Sequence, residues 1–235
     1  MKNIFVYVGS KSGEKSSTLG VVKDIIDKVI EIIGEENINV SIYSPSLSKI
    51  NSCYSCNNCF YEGNCIQDEN DDMEEIKNNL ENADIVIFAS PVYMHNVSGD
   101  MKIFIDRISY WSHLLKLRGK VGLAISTSSG NGLDITTSYI NKVMNFLGIK
   151  VVGALSIVPY KKNEKYHEII ENCAISLVEY MNGKEIVPDE LLEAIFLSGK
   201  QMVMQQKDVN ETAEYIYWKE SGMLECNTFK EALKI

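Results

Sequence analysis

Short runs of continuous apolar residues alternate along this chain with longer stretches in which apolar positions recur every three or four residues. Asn3 to Val8 is the first such run, and Gly9-Ser10 follows at once, which predicts a buried strand closing into a loop. Leu19, Val22, Ile25, Ile26, Val29, Ile30 and Ile33 then mark one face of an amphipathic helix, with Gly34 as its stop. Val40 to Tyr43 predicts a second strand. Asp71-Asp72 opens a helix to about Asn82, where two acids suit the positive end of the dipole. Asp84 to Ser90 is the clearest strand, continuous, β-branched and closed by Pro91. Helix is expected from Gly99 to Leu115, strand from Val121 to Ser126, helix from Leu133 to Leu147, and strand from Val151 to Val158.

Strands alternating with helices longer than about ten residues imply βαβ units and a parallel sheet. Five such strands make a doubly wound α/β fold, a five-stranded parallel sheet in a three-layer sandwich. Glu164 to Asn182 supplies the last core helix, so residues 1–183 are expected to form one domain. Residues 184–235 exceed what the fold needs and predict a helical C-terminal extension, with helices over Pro188 to Gln206 and Thr212 to Gly222. Tyr215, Tyr217 and Trp218 give that extension aromatic content suited to a lid, a dimer arm or extra packing.

Composition narrows the function classes. The 235 residues are 45% hydrophobic and 23% charged, an ordinary globular balance with room for a sizeable core. A net charge of -9 argues against a nucleic-acid partner, which demands clustered Lys and Arg. No apolar run approaches the roughly 18 residues of a bilayer span, and the N-terminus lacks a secretory pattern, so a soluble cytoplasmic protein is expected.

Ligands of doubly wound sheets bind at the carboxyl ends of the strands, where the winding reverses. The first loop there runs Gly9-Ser10-Lys11-Ser12-Gly13-Glu14-Lys15-Ser16-Ser17-Thr18 straight into a helix. Small hydroxyl residues at a helix N-terminus offer amide donors, side-chain donors and a favourable dipole, which makes Ser10, Ser12, Ser16, Ser17 and Thr18 candidates for a phosphate. A Ser-capped helix after a polar loop is the plainer alternative. Glu14 stands where a nucleotide-triphosphate loop needs glycine, and the glycines do not fit a dinucleotide fingerprint. The second loop carries Pro91, Val92, Tyr93 and Met94, with the Tyr93 ring as a flat wall for an isoalloxazine. The third, Thr127, Ser128, Ser129 and Gly130 on to Gly132, lets backbone amides approach the ring's oxygens. Phosphate nest, aromatic wall and amide donors are together what FMN requires.

Cys53, Cys56, Cys59 and Cys65 fall within thirteen residues, a metal pattern in a reducing compartment. The compact spacing suits an iron–sulfur cluster, and Gly63 lets the chain turn back; zinc, which usually takes two separated pairs, is the competitor. Cys173 and Cys226 are expected to be buried and inert. His95 is a polar residue of a ligand loop, His113 and His167 are surface or interface positions, and Asp106-Arg107 is a charge pair on its helix. No catalytic triad or paired carboxylates stand out, as suits chemistry carried by a cofactor.

The blocks Gly9-Ser10…Ser17-Thr18, Ser90-Pro-Val-Tyr93…Val97-Ser-Gly99…Met101-Lys102 and Asp106-Arg107 resemble the NADPH-dependent FMN reductase and iron-sulfur flavoprotein group of flavodoxin-like proteins, over roughly Asn3 to Val158. That resemblance implies FMN with its phosphate on Ser10, Ser17 and Thr18 and its ring beside Pro91 to Met94. It further implies a 4Fe-4S cluster on the four cysteines, and a homodimer or homotetramer with sites near subunit interfaces. The expected function is an FMN-dependent oxidoreductase, reduced by NAD(P)H or through the cluster, that passes electrons to a small acceptor such as a quinone or flavin. The alternatives are an electron carrier serving a redox protein partner and a domain that has lost its cofactor. Lys11-Ser12 replace the Pro-Arg common in the family, which leaves the donor open between NADH, NADPH and a protein.

Overall fold

The computed structural model describes residues 1–206 and 212–235. Five strands, β1 (Lys2–Val8), β2 (Ile38–Tyr43), β3 (Ile85–Pro91), β4 (Val121–Thr127) and β5 (Lys150–Ile157), form one sheet in the order β2-β1-β3-β4-β5, every pair parallel. The helices are α1 (Ser17–Ile33), α2 (Asn58–Glu62), α3 (Met73–Glu81), α4 (Gly99–Arg107), α5 (Trp111–Leu114), α6 (Leu133–Phe146), α7 (Glu164–Met181), α8 (Glu190–Met204), α9 (Ala213–Glu220) and α10 (Phe229–Ala232).

The strands read as unbroken apolar runs because both faces are covered. Alternate residues of β1, β3 and β4 point opposite ways: Ile4, Val6, Val8, Ile85, Ile87, Leu123 and Ile125 meet α1 and α7. Phe5, Tyr7, Val86, Phe88 and Ala124 meet α3, α4 and α6. The flavodoxin-like doubly wound sandwich expected from the sequence is the observed fold.

The helix expected over Gly99 to Leu115 is two helices. Ser109 Oγ donates to the Asp106 carbonyl at 2.9 Å and Ser112 Oγ to the Ser109 carbonyl at 2.7 Å, so hydroxyls compete with the helical ladder there. The C-terminal extension builds a third apolar cluster: Leu192, Phe196, Trp218, Met223 and Phe229 pack with Leu115 of the sandwich. Trp218 is fully buried, stacks on Phe196 at 5.4 Å, and donates its indole N–H to the His113 carbonyl at 2.8 Å. The extension is thereby fastened to α5 through both apolar packing and a buried hydrogen bond.

Candidate functional site

The winding reverses between β1 and β3, and the loops after β1, β3 and β4 meet at that point. Gly9 sits at the closest approach. Its N–H donates to the Ala89 carbonyl at 2.8 Å, and a Cβ there would lie 2.6 Å from Met101 Cβ and 2.7 Å from Ser98 Oγ. Ser98 is 1% exposed; its hydroxyl donates to the Gly9 carbonyl at 2.6 Å and accepts the Met101 N–H at 3.1 Å, capping α4. Its own N–H donates to Ser90 Oγ at 3.0 Å. One serine thus ties the first loop, the end of β3 and the start of α4 together.

Within the first loop, Ser10, Ser16 and Thr18 are buried, whereas Ser12 and Ser17 are exposed. Ser16 is the cap of α1, accepting the Leu19 N–H at 3.2 Å. The remaining first-turn N–H groups of α1, those of Ser17 and Thr18, have no intrahelical acceptor and stand at the positive end of a 17-residue helix. Thr18 Oγ1 meets Thr127 Oγ1 at 2.6 Å, both side chains buried, which joins the first loop to the third.

The second loop is pinned to the third by the Val92 N–H, which donates to the Thr127 carbonyl at 2.9 Å. It then folds into a tight turn in which Tyr93 and Asn96 exchange backbone hydrogen bonds of 2.9 and 3.1 Å. Met94 and His95, the two residues between, both have positive φ, 48° and 61°. That is the mirror-image turn geometry which glycine or asparagine usually occupies, so this turn carries strain at a ligand loop. Tyr93 is 58% exposed and Met94 94% exposed, so neither is a core residue. In the third loop Gly130 N–H donates to Ser128 Oγ at 3.1 Å and Tyr160 Oη to the Ser129 carbonyl at 3.2 Å. Gly132 has φ 81°, and a Cβ there would come 2.8 Å from His95 Cα, so the second and third loops touch.

The structure therefore brings Ser10, Ser16, Thr18, Pro91, Val92 and Thr127 to one interlocked rim, with Tyr93, Met94, Ser129 and Gly130 at its open side. Ser90, Ser98, Gly132 and Tyr160 hold that rim and were not among the candidate ligand residues, although Ser90 and Ser98 lie in the resemblance blocks and Gly132 closes the third loop. Ser98 had a legible signal, a serine just before the apolar positions Met101, Phe104, Ile105 and Ile108 of a helix. Tyr7 reaches the same region from β1, stacked on Phe104 at 4.0 Å with its hydroxyl donating to the Asp100 carbonyl at 3.4 Å. Burial, then the Asp100 charge, pushes the Tyr7 phenol far above its ordinary value.

The cysteines lie on a loop between β2 and α3 whose neck is closed by polar contacts. Lys49 N–H donates to Asp72 Oδ2 at 2.7 Å, Asn51 N–H to Asp71 Oδ2 at 2.8 Å, and Gln67 Nε2 to the Ser52 carbonyl at 3.1 Å. Cys53 and Cys56 are exposed, Cys59 and Cys65 half-buried, and all four are free thiols. Two non-glycine residues between them, Ser55 (φ 55°) and Asn57 (φ 61°), are left-handed. Burial, followed by the neighbouring Cys65, Cys53 and Cys56, raises the Cys59 thiol. Among the described residues no three Cys, His, Asp or Glu side chains converge at metal-binding distance. The donor set itself, four neighbouring unpaired thiols, has the chemistry an iron–sulfur cluster takes.

The Asp106-Arg107 charge pair expected from sequence is not formed. Adjacent helical residues point apart; Asp106 pairs with Lys102, and Arg107 turns inward to Asp68 and Asp71. His113 is half-buried, its ring 5.0 Å from Phe60 and its Nδ1 2.7 Å from Glu214 of α9, while His95 and His167 are exposed. Cys173 is half-buried on α7, its thiol pushed up to about 11 by burial, and Cys226 is buried in the turn before α10.

A five-stranded parallel sheet in the order β2-β1-β3-β4-β5, with three loops fastened together at its winding reversal, is of the flavodoxin-like class. The chain belongs to the NADPH-dependent FMN reductase family, whose model matches residues 2–162. Among curated relatives, an "Iron-sulfur flavoprotein" of Archaeoglobus fulgidus is 32% identical over 87% of this chain and 94% of its own length. Another from Clostridioides difficile is 27% identical over 91% of this chain and 95% of its own. Of solved structures, an apo NADH:FMN oxidoreductase superposes with TM-score 0.59 at 17% identity, covering 78% of this chain and 92% of that one. A flavodoxin from the domain Archaea gives TM-score 0.50 at 19% identity over 77% of this chain and 99% of that one. The protein is a flavin-dependent oxidoreductase of the FMN-binding kind. Among the described residues no helix is long and apolar enough to cross a membrane.

Proposed function

We propose that the chain binds one FMN across the three interlocked loops and acts as an electron-transfer oxidoreductase with two redox elements, the flavin and a 4Fe-4S cluster on Cys53, Cys56, Cys59 and Cys65. The observation that carries this reading is the mutual fastening of the loops, through Thr18 to Thr127 at 2.6 Å and Ser98 to Gly9 at 2.6 Å. A loop set welded in this way is preorganised for a rigid, flat ligand with an anionic tail.

In this reading the first-turn amides of α1, with Ser10, Ser16, Ser17 and Thr18, hold the phosphate, and Ser12 flanks them. Pro91, Val92, Tyr93 and Met94 wall the ring, while Thr127, Ser128, Ser129 and Gly130 offer amide donors to its polar edge. Bound there, FMN supplies one- and two-electron chemistry; the protein's residues orient it, shield one face and leave the Tyr93–Met94 side open. The four thiolates hold the cluster, whose relatives' printed names motivate the assignment. α4 links the two elements: it begins at Ser98, which fastens the flavin loops, and ends at Arg107, which fastens the cysteine loop. NAD(P)H or a reduced protein partner supplies electrons, and a small quinone- or flavin-like acceptor takes them from the open side. Residues 1–183 act as the cofactor-bearing unit and 184–235 as an appended helical unit, and the chain assembles as a homodimer or homotetramer.

The test is the visible spectrum of anaerobically purified protein, with flavin, iron and sulfide assayed on the same sample. Flavin with about four irons per chain supports the two-element reading. Flavin without iron removes the cluster, and a colourless protein that takes up no FMN removes the whole proposal. Turnover with NADH or NADPH alone separates an enzyme from a carrier that needs a protein donor.

A further inference from the structure

We propose that Arg107 is a positioning residue for the four-thiol loop: its buried guanidinium closes the loop's neck and so sets where Cys53, Cys56, Cys59 and Cys65 stand. The inference rests on the reading of that loop as the metal-binding element.

The cysteine loop has little core of its own. Residues 52–57 are exposed, no disulfide crosses it, and among the described residues Ile50, Cys59 and Phe60 pack against the sandwich while α2 touches α9. Its two ends are held together by polar contacts, at whose centre lies one buried charge. The Arg107 side chain has no exposed surface, and its Nη1 donates to the Asn51 carbonyl at 2.9 Å and to Asp71 Oδ2. Its Nη2 donates to Asp68 Oδ1 at 2.8 Å and to Asp71 Oδ1 at 3.3 Å. Asn51 lies two residues before the first cysteine and Asp68 three residues after the last, so one guanidinium grips both sides of the neck. The other Asp68 oxygen accepts from Lys77 Nζ at 2.5 Å, and Lys77 lies over the Tyr110 ring at 5.0 Å. Two cations and two carboxylates thus balance in charge beneath the loop.

Buried ion networks are poor devices for bulk stability, because desolvation cancels most of the attraction; in some systems what they supply instead is one specified geometry. The planar fork is essential here: a guanidinium reaches a carbonyl and two carboxylates at once, whereas an ammonium is a single point on a flexible stem. The sandwich core is complete without this network, so what the network specifies is the neck.

The experiment compares wild type with Arg107→Met, Arg107→Lys and Asp68→Asn, each purified anaerobically. Three quantities are read: FMN per chain, iron and sulfide per chain, and the rate at which iodoacetamide alkylates Cys59 and Cys65 in metal-free protein, referenced to Cys173. The expected result for Arg107→Met is FMN within twofold of wild type, iron at least threefold lower, and relative alkylation of Cys59 and Cys65 at least fivefold faster. Arg107→Lys is expected to recover less than half of each change. Wild-type iron and alkylation in an FMN-loaded Arg107→Met protein overturns the proposal. Should Arg107→Met fail to fold, Asp68→Asn, which keeps the Asp71 bond, is expected to shift alkylation the same way by about twofold; an unchanged rate there also overturns it. Absence of iron from the wild type refutes the metal reading alone, and the alkylation rates still decide the role of Arg107.

Discussion

Ser98→Ala removes one oxygen and thereby breaks the joint between the loops after β1 and β3. The hydroxyl is 1% exposed, donates to the Gly9 carbonyl at 2.6 Å and caps α4 through the Met101 N–H at 3.1 Å. Loss of the cap costs about 1 kcal/mol. The Gly9 carbonyl is then buried without its donor, a further penalty of roughly 1–3 kcal/mol. The sum, about 2–4 kcal/mol, corresponds to a melting-temperature drop of roughly 4–16 °C for a domain of this size. FMN affinity is expected to fall as well on the proposed reading, in which Gly9 begins the loop that holds the phosphate and is held in place by this bond. The assay is thermal unfolding by circular dichroism of the flavin-free protein, alongside FMN titration followed by fluorescence quenching. Ser138→Ala, an exposed position on α6, is the control. A melting temperature within about 1 °C of wild type, with unaltered FMN affinity, would refute the account of Ser98 as the joint.

Gly9→Ala drives a methyl into Met101 Cβ and Ser98 Oγ, so overpacking of about 1–3 kcal/mol and weaker FMN binding are expected; a neutral effect on both would contradict the close approach. Thr18→Val and Thr127→Val each strand a buried hydroxyl, whereas the double variant strands neither, so its destabilisation should be smaller than the sum of the singles; strict additivity in denaturant melts would mean the hydroxyls do not pair. Burial alone would raise the Asp71 carboxyl, but hydrogen bonds from Arg107 and the Asn51 and Met73 N–H groups hold it below its ordinary 3.8. A depressed carboxyl contributes stability above its ordinary value and loses it as pH falls through the folded one, so the urea midpoint should drop below about pH 4, less steeply in Asp71→Asn; equal slopes would count against this. Cys173, held near 11, should carry roughly a hundredfold less thiolate at pH 8 than an ordinary cysteine, and rapid alkylation of the folded protein at that residue would contradict it.

The sheet was legible because parallel strands covered on both faces write themselves as apolar runs, and Asp84 to Ser90 could scarcely be anything else. That the loops after β1, β3 and β4 meet was legible because fold class dictates where they fall. What escaped was set by tertiary contact. The break after Arg107 has no glycine or proline to mark it and comes from serine hydroxyls competing for helical carbonyls. Arg107 itself reads as half of a local pair until Asp68 and Asp71, far behind it in sequence, arrive beneath it. Gly132 supports the rim because β3 and β4 run side by side, and Tyr160 because β4 and β5 do. The third apolar cluster was invisible as a cluster, since Leu115 belongs to the sandwich and its partners to the extension.

The turn from Tyr93 to Asn96 gives the open side of the site an unusual economy of motion. A surface tip ordinarily samples many shapes, and a visiting molecule must select one of them. Here two backbone hydrogen bonds lock a mirror-image turn, and Gly132 seats against His95 to block its collapse. Met94, 94% exposed, therefore stands on a turn closed by two backbone hydrogen bonds. A molecule arriving over that edge meets a soft, polarizable contact whose position was settled when the chain folded. Residence at this edge should accordingly answer to the shape and softness of the side chain at position 94 and scarcely to temperature-driven loop motion.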